Sequence, residues 1–356
     1  MKTEIIRIDI SKPDWDKQLD HAALVLRDGG LVAFPTETVY GLGANALDQT
    51  AIEGIYRAKG RPSDNPLIVH IAETSALKEL TSDIPAIAPR LMETYWPGPL
   101  TLLMPKSERI PAIVTAGLGT VGIRMPANPI ALELIRKSGV PVAAPSANSS
   151  GRPSPTLAKH VIEDLSGKVD VIIDGGHTKV GVESTVLDIT VDPPMILRPG
   201  GITFEKLAQI LGQVRLDPAI SSDSKTSAPP RAPGMKYRHY APKASMLLIQ
   251  GQPERIAAEI GKRAAVYNSE GALVGILTTD ETASLYEPSL YTFCKIISLG
   301  SRLNPESLAV NLFKCLREFD ENKTGVIMAE APETSGIGQA VMNRMLKAAG
   351  GNIIKV

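Results

Sequence analysis

Hydrophobic and polar positions along the chain switch repeatedly between a period of two and a period near 3.6. "EIIRIDI" (4–10) alternates as a half-buried strand does. In "DWDKQLDHAALVLRDGG" (14–30), Trp15, Leu19, Ala22, Ala23 and Leu26 recur at helical spacing, and Gly29-Gly30 ends the run. "LVAFP" (31–35) is a short apolar strand. "TAIEGIYRAKG" (50–60) predicts a helix that stops at Gly60 and leads through a loop into the strand "PLIVHI" (66–71). Further strands are expected at "LTLLMP", "VGIRMP", "VPVAAP", "VDVIID", "STVLDIT" and "MILRP". Helices are expected around "IPAIAPRLMETYW", "NPIALELIRKSG", "TLAKHVIEDLSG" and "TFEKLAQILG". This interleaving predicts an α/β domain with a mixed sheet over residues 1–212.

The pattern lapses over 213–244. "SSDSKTSAPPRAPGMKYRHYAPK" is rich in Ser, Pro and Ala and lacks apolar periodicity, so it reads as a linker or mobile loop. Between Ser224 and Lys243 it holds Lys225, Arg231, Lys236, Arg238 and Lys243 and no acidic residue, which is unusual for an inert tether. A second series then begins: strand "SMLLIQ", helix "PERIAAEIGKR", and strands "AAVYN", "LVGILTT" and "FCKIISL". Helix "NPESLAVNLFKCLREFD", strand "TGVIMAE" and helix "GIGQAVMNRMLKAAG" complete it. Residues 245–356 thus predict a smaller, Rossmann-like α/β domain with a largely parallel sheet.

Composition narrows the function. At 43% hydrophobic and 21% charged, the 356 residues match a globular protein with one large or two smaller domains. Lys plus Arg equals Asp plus Glu at 38 each, which argues against tight generic binding to nucleic-acid phosphates. Cys294 and Cys315 are too few and too distant for a disulfide scaffold or a zinc site, and buried reduced thiols fit a cytosolic protein. The charged N-terminus has no apolar core of a signal peptide, and no run reaches the roughly 18 apolar residues of a membrane span. No Walker motif, Rossmann glycine fingerprint, HExxH or CxxC occurs, so a nucleotide site would be built by other means, without protein-held metal.

Several loops carry residue types suited to anions. Lys59 and Arg61 lie two apart in "YRAKGRPSDNPLIVH" (56–70); Arg offers a planar fork to phosphate oxygens and Lys a mobile point charge. Equally, such cations can be solvated partners of the preceding helix C-terminus. "AAPSANSSGRPSP" (143–155) places Ser146, Asn148, Ser149, Ser150 and Ser154 after a strand, where α/β folds put ligands, although it also reads as an ordinary turn. "FPTETVYGLG" brings Thr36, Glu37 and Thr38 to a strand exit, and "GTVGIRMP" puts Thr120 and Arg124 on or beside a strand, where a buried Arg needs a partner. "GVESTVLDIT" and "ILRPGG" add Glu183, Ser184, Thr185 and Arg198 at strand ends.

Taken in order, "FPTETVYGLG", "KGRPSDNPLIVH", "YWPGPLTLL", "GTVGIRMP", "APSANSSGRPSPT", "GVESTVLD" and "ILRPGG" resemble the YrdC-type domain of threonylcarbamoyl-AMP synthases. "SAPPRAPGMKYRHYAP" and the domain after it resemble the long, two-domain form. The resemblance implies a YrdC-like twisted mixed open sheet with a concave, positively lined cleft. It also implies a reaction: L-threonine, bicarbonate or CO2, and ATP give threonylcarbamoyl-AMP and pyrophosphate. A separate transferase complex would carry the group to adenosine 37 of ANN-decoding tRNAs.

By the same resemblance, Thr38, His70, Arg124, the Ala144 backbone and Ser184 would hold threonine, with Arg124 on its carboxylate. Lys59, Arg61, Asn65, Thr120, Ser146, Asn148, Ser154, Arg198 and Tyr237 would hold ATP, and Lys59, Arg61, Ser146 and Asn148 would form the catalytic set. Mg2+ would ride on the ATP phosphates, and the basic segment 224–243 would close over the nucleotide as a lid. Two other readings are a cationic cleft for double-stranded RNA and a carbamoyl-phosphate-using enzyme akin to hydrogenase-maturation proteins. Those proteins carry cysteine clusters and an acylphosphatase segment that this sequence lacks.

Overall fold

A computed structural model of the chain describes residues 2–220, 230–233 and 239–356. It divides into two units: residues 1–150 with 154–237, and residues 151–153 with 238–356. Eleven strands form the sheet of the first unit: β1 (Glu4–Arg7), β2 (Val32–Phe34), β3 (Gly41–Asn45), β4 (Ile68–His70), β5 (Leu100–Pro105), β6 (Thr120–Arg124), β7 (Val142–Ala143), β8 (Val171–Asp174), β9 (Thr185–Asp188), β10 (Met195–Arg198) and β11 (Arg215–Leu216). Their order is β1-β8-β2-β3-β7-β4-β6-β5-β9-β10-β11, with parallel and antiparallel pairs mixed. β3 was not anticipated, because "GLGAN" lacks the β-branched residues that mark strands.

Helices α1 (Asp20–Arg27), α2 (Gln49–Lys59), α3 (Leu77–Leu80), α4 (Ala88–Tyr95), α5 (Pro129–Ser138), α6 (Ala158–Leu165) and α7 (Phe204–Leu211) cover this sheet unevenly. Leu26 of α1 and Leu134 of α5 pack with Val32, Phe34 and Ile173 on one face near the β1 edge. α2, α4, α6 and α7 cover the other face, where Ile52, Leu91, Val161 and Leu207 join Val69, Leu102, Ile123 and Leu187 in a single core. Strand side chains alternate between faces, so the neighbours of those strand residues project away from this helical layer.

α2 is terminated so as to deliver a loop. The Asp48 carboxylate accepts hydrogen bonds from the N–H groups of Thr50 at 2.8 Å and Ala51 at 3.2 Å, capping its start. At its end Gly60 adopts φ 61°, a left-handed conformation that glycine tolerates, and the Arg61 N–H returns to Tyr56 O at 3.0 Å. Lys59 and Arg61 therefore leave the helix in fixed positions.

The second unit contains β12 (Ser245–Gln250), β13 (Val274–Thr278), β14 (Cys294–Ser298), β15 (Val326–Glu330) and β16 (Ile353–Lys355) in the order β14-β13-β15-β12-β16. All of its ladders are parallel, as the sequence pattern predicts. Its helices are α8 (Pro253–Ser269), α9 (Asp280–Ala283), α10 (Pro305–Glu321) and α11 (Gly338–Ala349). The expected strand "AAVYN" is instead the last part of α8. No helix breaker separates Arg263 from Ala264, and Ala264 joins Ile260, four residues earlier, in the core. This unit also includes Pro153, whose carbonyl accepts hydrogen bonds from the buried Arg317 at 3.1 and 2.6 Å. Among the described residues no helix is long and apolar enough to cross a membrane.

Replacing Asp48 with Ala removes both cap bonds and is expected to lower the stability of the first unit by about 1 kcal/mol. Urea unfolding followed by far-UV circular dichroism measures the shift.

Candidate active site

On the β4-β6-β5-β9-β10 half of the sheet, the face turned away from the helical core is chemically different. Ile68 and His70 share it on β4, and Thr120, Gly122 and Arg124 share it on β6, with His70 directly opposite Arg124 in register. Thr101 and Leu103 of β5 and Val186 of β9 continue the surface. A small apolar cluster on it joins Ile68, Leu103, Val186 and Leu197 to Ala232, a linker residue that is fully buried. Beside it Arg231 pairs with the fully buried carboxylate of Asp188. Arg231 and Ala232 of the linker thus pack on this face.

Four of the five side chains or positions assigned to threonine gather near the exits of β4 and β6. Arg124, 4% exposed, donates its Nη2 to Glu37 Oε1 at 2.6 Å and its Nε to Gly98 O at 3.2 Å. Ser184 Oγ lies 2.8 Å from Thr101 Oγ1 and accepts from Arg198 Nη2 at 3.1 Å. Thr38 is fully buried, with its hydroxyl 2.8 Å from that of Thr36. His70 is held neutral: burial first, and the Arg124 cation second, push its pKa down to about 3. The fifth, Ala144, lies at the exit of β7, and its N–H donates to Ile68 O at 2.9 Å.

A second cluster forms where α2 ends. Lys59, 4% exposed, donates its ammonium to Ser146 O at 2.5 Å and Asn148 O at 2.6 Å. Ser146 Oγ donates to Asn148 Oδ1 at 2.5 Å, and Ser150 N–H returns to Lys59 O at 2.8 Å. Arg61 donates to Asn65 O at 3.4 Å and Pro66 O at 3.2 Å. Both cations therefore brace loop backbone; neither is a solvated surface charge. Thr120 begins β6, while Ser154 donates to Glu183 Oε1 at 2.6 Å. Arg198 is bonded to Ser184 O and Oγ, alongside residues assigned to threonine. Tyr237 lies outside the described residues.

Three buried polar groups on these elements have no partner among the described residues: Glu37 Oε2, His70 Nδ1, and both terminal atoms of Asn65. Buried polar atoms are normally satisfied, so such a set calls for a further partner, an ordered water or a ligand. Sequence reasoning placed His70 and Asn65 here but gave Glu37 no role. Its signal was the requirement of a buried Arg for a carboxylate, which "FPTETVY" supplies from a remote part of the chain.

A mixed α/β sheet with one open, cation-bearing face defines the class, and a family model described as "Telomere recombination" matches residues 24–200. A second, described as the C-terminal domain of threonylcarbamoyl-AMP synthase, matches residues 202–350. The chain is 51% identical over 358 residues to the threonylcarbamoyl-AMP synthase of Bacillus subtilis, covering 100% of both. It is 49% identical to that of Pyrococcus abyssi over 354 residues, 99% of this chain and 100% of the relative. Among solved structures, Pyrococcus abyssi Sua5 complexed with L-threonine matches at 48% identity with a TM-score of 0.92, over 99% of this chain and 100% of that one. The chain belongs to the threonylcarbamoyl-AMP synthase family, in its two-domain form.

Because the folded state depresses the His70 pKa, the unfolded chain binds a proton that the folded chain refuses between about pH 6.5 and about 3. Stability is thus present at neutral pH and falls as the pH drops through that window. Urea midpoints for the wild type and His70→Gln at pH 7 and pH 5 check the sign: the variant is expected to lose less on acidification.

Proposed function

We propose that the open face of the first unit's sheet is where L-threonine, bicarbonate or CO2, and ATP are condensed to threonylcarbamoyl-AMP and pyrophosphate. The observation that carries the site is the set of unpartnered buried atoms around the Arg124–Glu37 pair. Threonine lies with its carboxylate toward Arg124 and its hydroxyl and amine among Thr38, His70, Ser184 and Glu37 Oε2. ATP lies across Lys59, Arg61, Asn65, Thr120, Ser146, Asn148, Ser154 and Arg198, with Mg2+ carried on its phosphates; Tyr237, outside the described residues, is the further contact that the family resemblance implies.

The threonine nitrogen attacks carbon of CO2 and loses a proton, giving a carbamate. A carbamate oxygen then attacks the α-phosphorus in line while the bond to the β-phosphate oxygen breaks and pyrophosphate leaves. Such chemistry asks for positioning, charge neutralisation and exclusion of water more than for a strong base. A neutral His70 fits this demand, since it can accept or donate a hydrogen bond without adding charge. The packing of Ala232 on the same face supports the linker's role as a cover. Residues 1–212 act as the catalytic domain, 213–244 as linker and lid, and 245–356 as a C-terminal domain. The product passes in the cytoplasm to the complex that forms N6-threonylcarbamoyladenosine in tRNA.

Pyrophosphate release from ATP tests the reading; it should depend on both L-threonine and bicarbonate, and release without threonine overturns it. Arg61→Ala is expected to abolish turnover. Arg124→Ala should raise the KM for threonine about 10- to 100-fold, the loss of charged hydrogen bonds of roughly 1.5–3 kcal/mol, with the KM for ATP nearly unchanged. Glu37→Gln combined with Arg124→Ala removes both buried charges and separates this effect from misfolding.

A further inference from the structure

Thr36 and Thr38 both lie in the turn that follows β2, yet only Thr38 has a part in the proposed site. Thr36 is 3% exposed, and its hydroxyl gathers the bonds of that turn. Its oxygen lies 2.6 Å from Val39 O and 2.8 Å from the Thr38 hydroxyl. It also accepts from the N–H groups of Thr38 at 3.1 Å and Val39 at 3.3 Å. Polar side chains that bond their own neighbouring backbone in this way fix local turns. The turn fixed here carries Glu37 and Thr38.

The number of hydrogens decides more than the shape of the turn. A hydroxyl has one hydrogen to donate and two lone pairs to offer. A carbonyl can only accept, so the single Thr36 hydrogen goes to Val39 O. Two hydroxyl oxygens 2.8 Å apart need a hydrogen between them, and Thr36 has none left, so Thr38 supplies it. The fully buried Thr38 hydroxyl has no other partner among the described residues. Its hydrogen is thereby spent, and lone pairs are what it offers. Glu37 Oε2, on the neighbouring residue, is likewise an open acceptor. The Thr101–Ser184 pair differs: neither hydroxyl there bonds a carbonyl, so its direction is free to follow a ligand.

We propose that Thr36 is a positioning residue for the amino-acid site: it locks the Thr38 hydroxyl as an acceptor, so that Glu37 and Thr38 receive N–H or O–H hydrogens and refuse groups that carry only lone pairs. The assignment rests on the threonine reading of this face. A bound amino acid is then oriented in one sense. Its amine or hydroxyl can face Thr38, whereas a carboxylate there would set lone pairs against lone pairs and against the Glu37 charge. The carboxylate is left for Arg124, which has only donors. Orientation is thus set twice, by attraction at Arg124 and by refusal at Thr38.

Steady-state kinetics of the full-length protein test this. Thr36→Val is expected to raise the KM for threonine about tenfold, the weight of one neutral hydrogen bond, with the KM for ATP nearly unchanged. Thr36→Ser, which keeps the hydroxyl, should stay within about threefold of the wild type. In a Thr38→Val background, Thr36→Val should cost less than about threefold, because no hydroxyl remains to be locked. Equal costs in both backgrounds, or a rise in both KM values, would mean that Thr36 only shapes the turn and would sink the proposal. Neutron diffraction from the deuterated wild-type protein reads the direction itself and depends on no variant's folding. Deuterium is expected on Thr36 aimed at Val39 O and on Thr38 aimed at Thr36; a Thr36 deuterium aimed at Thr38 overturns the assignment. Arg124→Ala separates the two levels. An unchanged threonine KM in that variant overturns the threonine reading and the proposal with it, whereas a raised KM there beside an unaffected Thr36→Val overturns the role of Thr36 alone.

Discussion

Two opposite charges held 2.6 Å apart with almost no water set the terms for the first unit. Arg124 and Glu37 have side chains 5% and 10% exposed, and removing each ion from water costs several kcal/mol. Such a pair persists only if its remaining hydrogen-bonding capacity is met. Gly98 O takes the Arg124 Nε, but Glu37 Oε2 stays open. The pair is therefore complete as a bridge and incomplete as a solvation shell, which is why the proposed threonine site is centred on it.

The second set of charges is arranged on a different principle. Lys59 and Arg61 could have been free cations waiting for a phosphate; instead they hold the carbonyls of Ser146, Asn148, Asn65 and Pro66. Their positive charge remains, while the loops that carry Ser146, Asn148 and Asn65 are ordered in advance. Ordering a loop before binding lowers the entropy lost when any flexible ligand is taken up there, the proposed triphosphate included. The same economy explains the left-handed Gly60, which lets the chain turn between the two cations without strain.

Helices occupy only one face of half of this sheet, so the other face can carry polar side chains at alternate positions without interrupting the core. The second unit solves the same problem differently. Its parallel sheet keeps apolar residues within the strands and gathers polar side chains at their carboxyl ends, where Thr279, Arg302 and Glu330 converge.

Much of this was legible in the sequence. Apolar periodicity marked most strands and helices, and the change at 213–244 separated two α/β regions. The order of the motifs pointed to Lys59, His70, Arg124, Ser146 and Ser184. It failed where local signals are weak or shared, as in the glycine-rich β3 and in "AAVYN", whose apolar residues suit strand or helix until Ala264 packs beside Ile260. What the sequence by itself determined was the alternation of elements, the two-region division and the residue types available for anions. Only the tertiary structure decided that Glu37 would neutralise Arg124, that Lys59 would brace the 146–148 loop, and that Arg198 would join Ser184. These partners are separated by 14 to 89 positions, and no local periodicity encodes which strands become neighbours or which face of a sheet the helices leave bare.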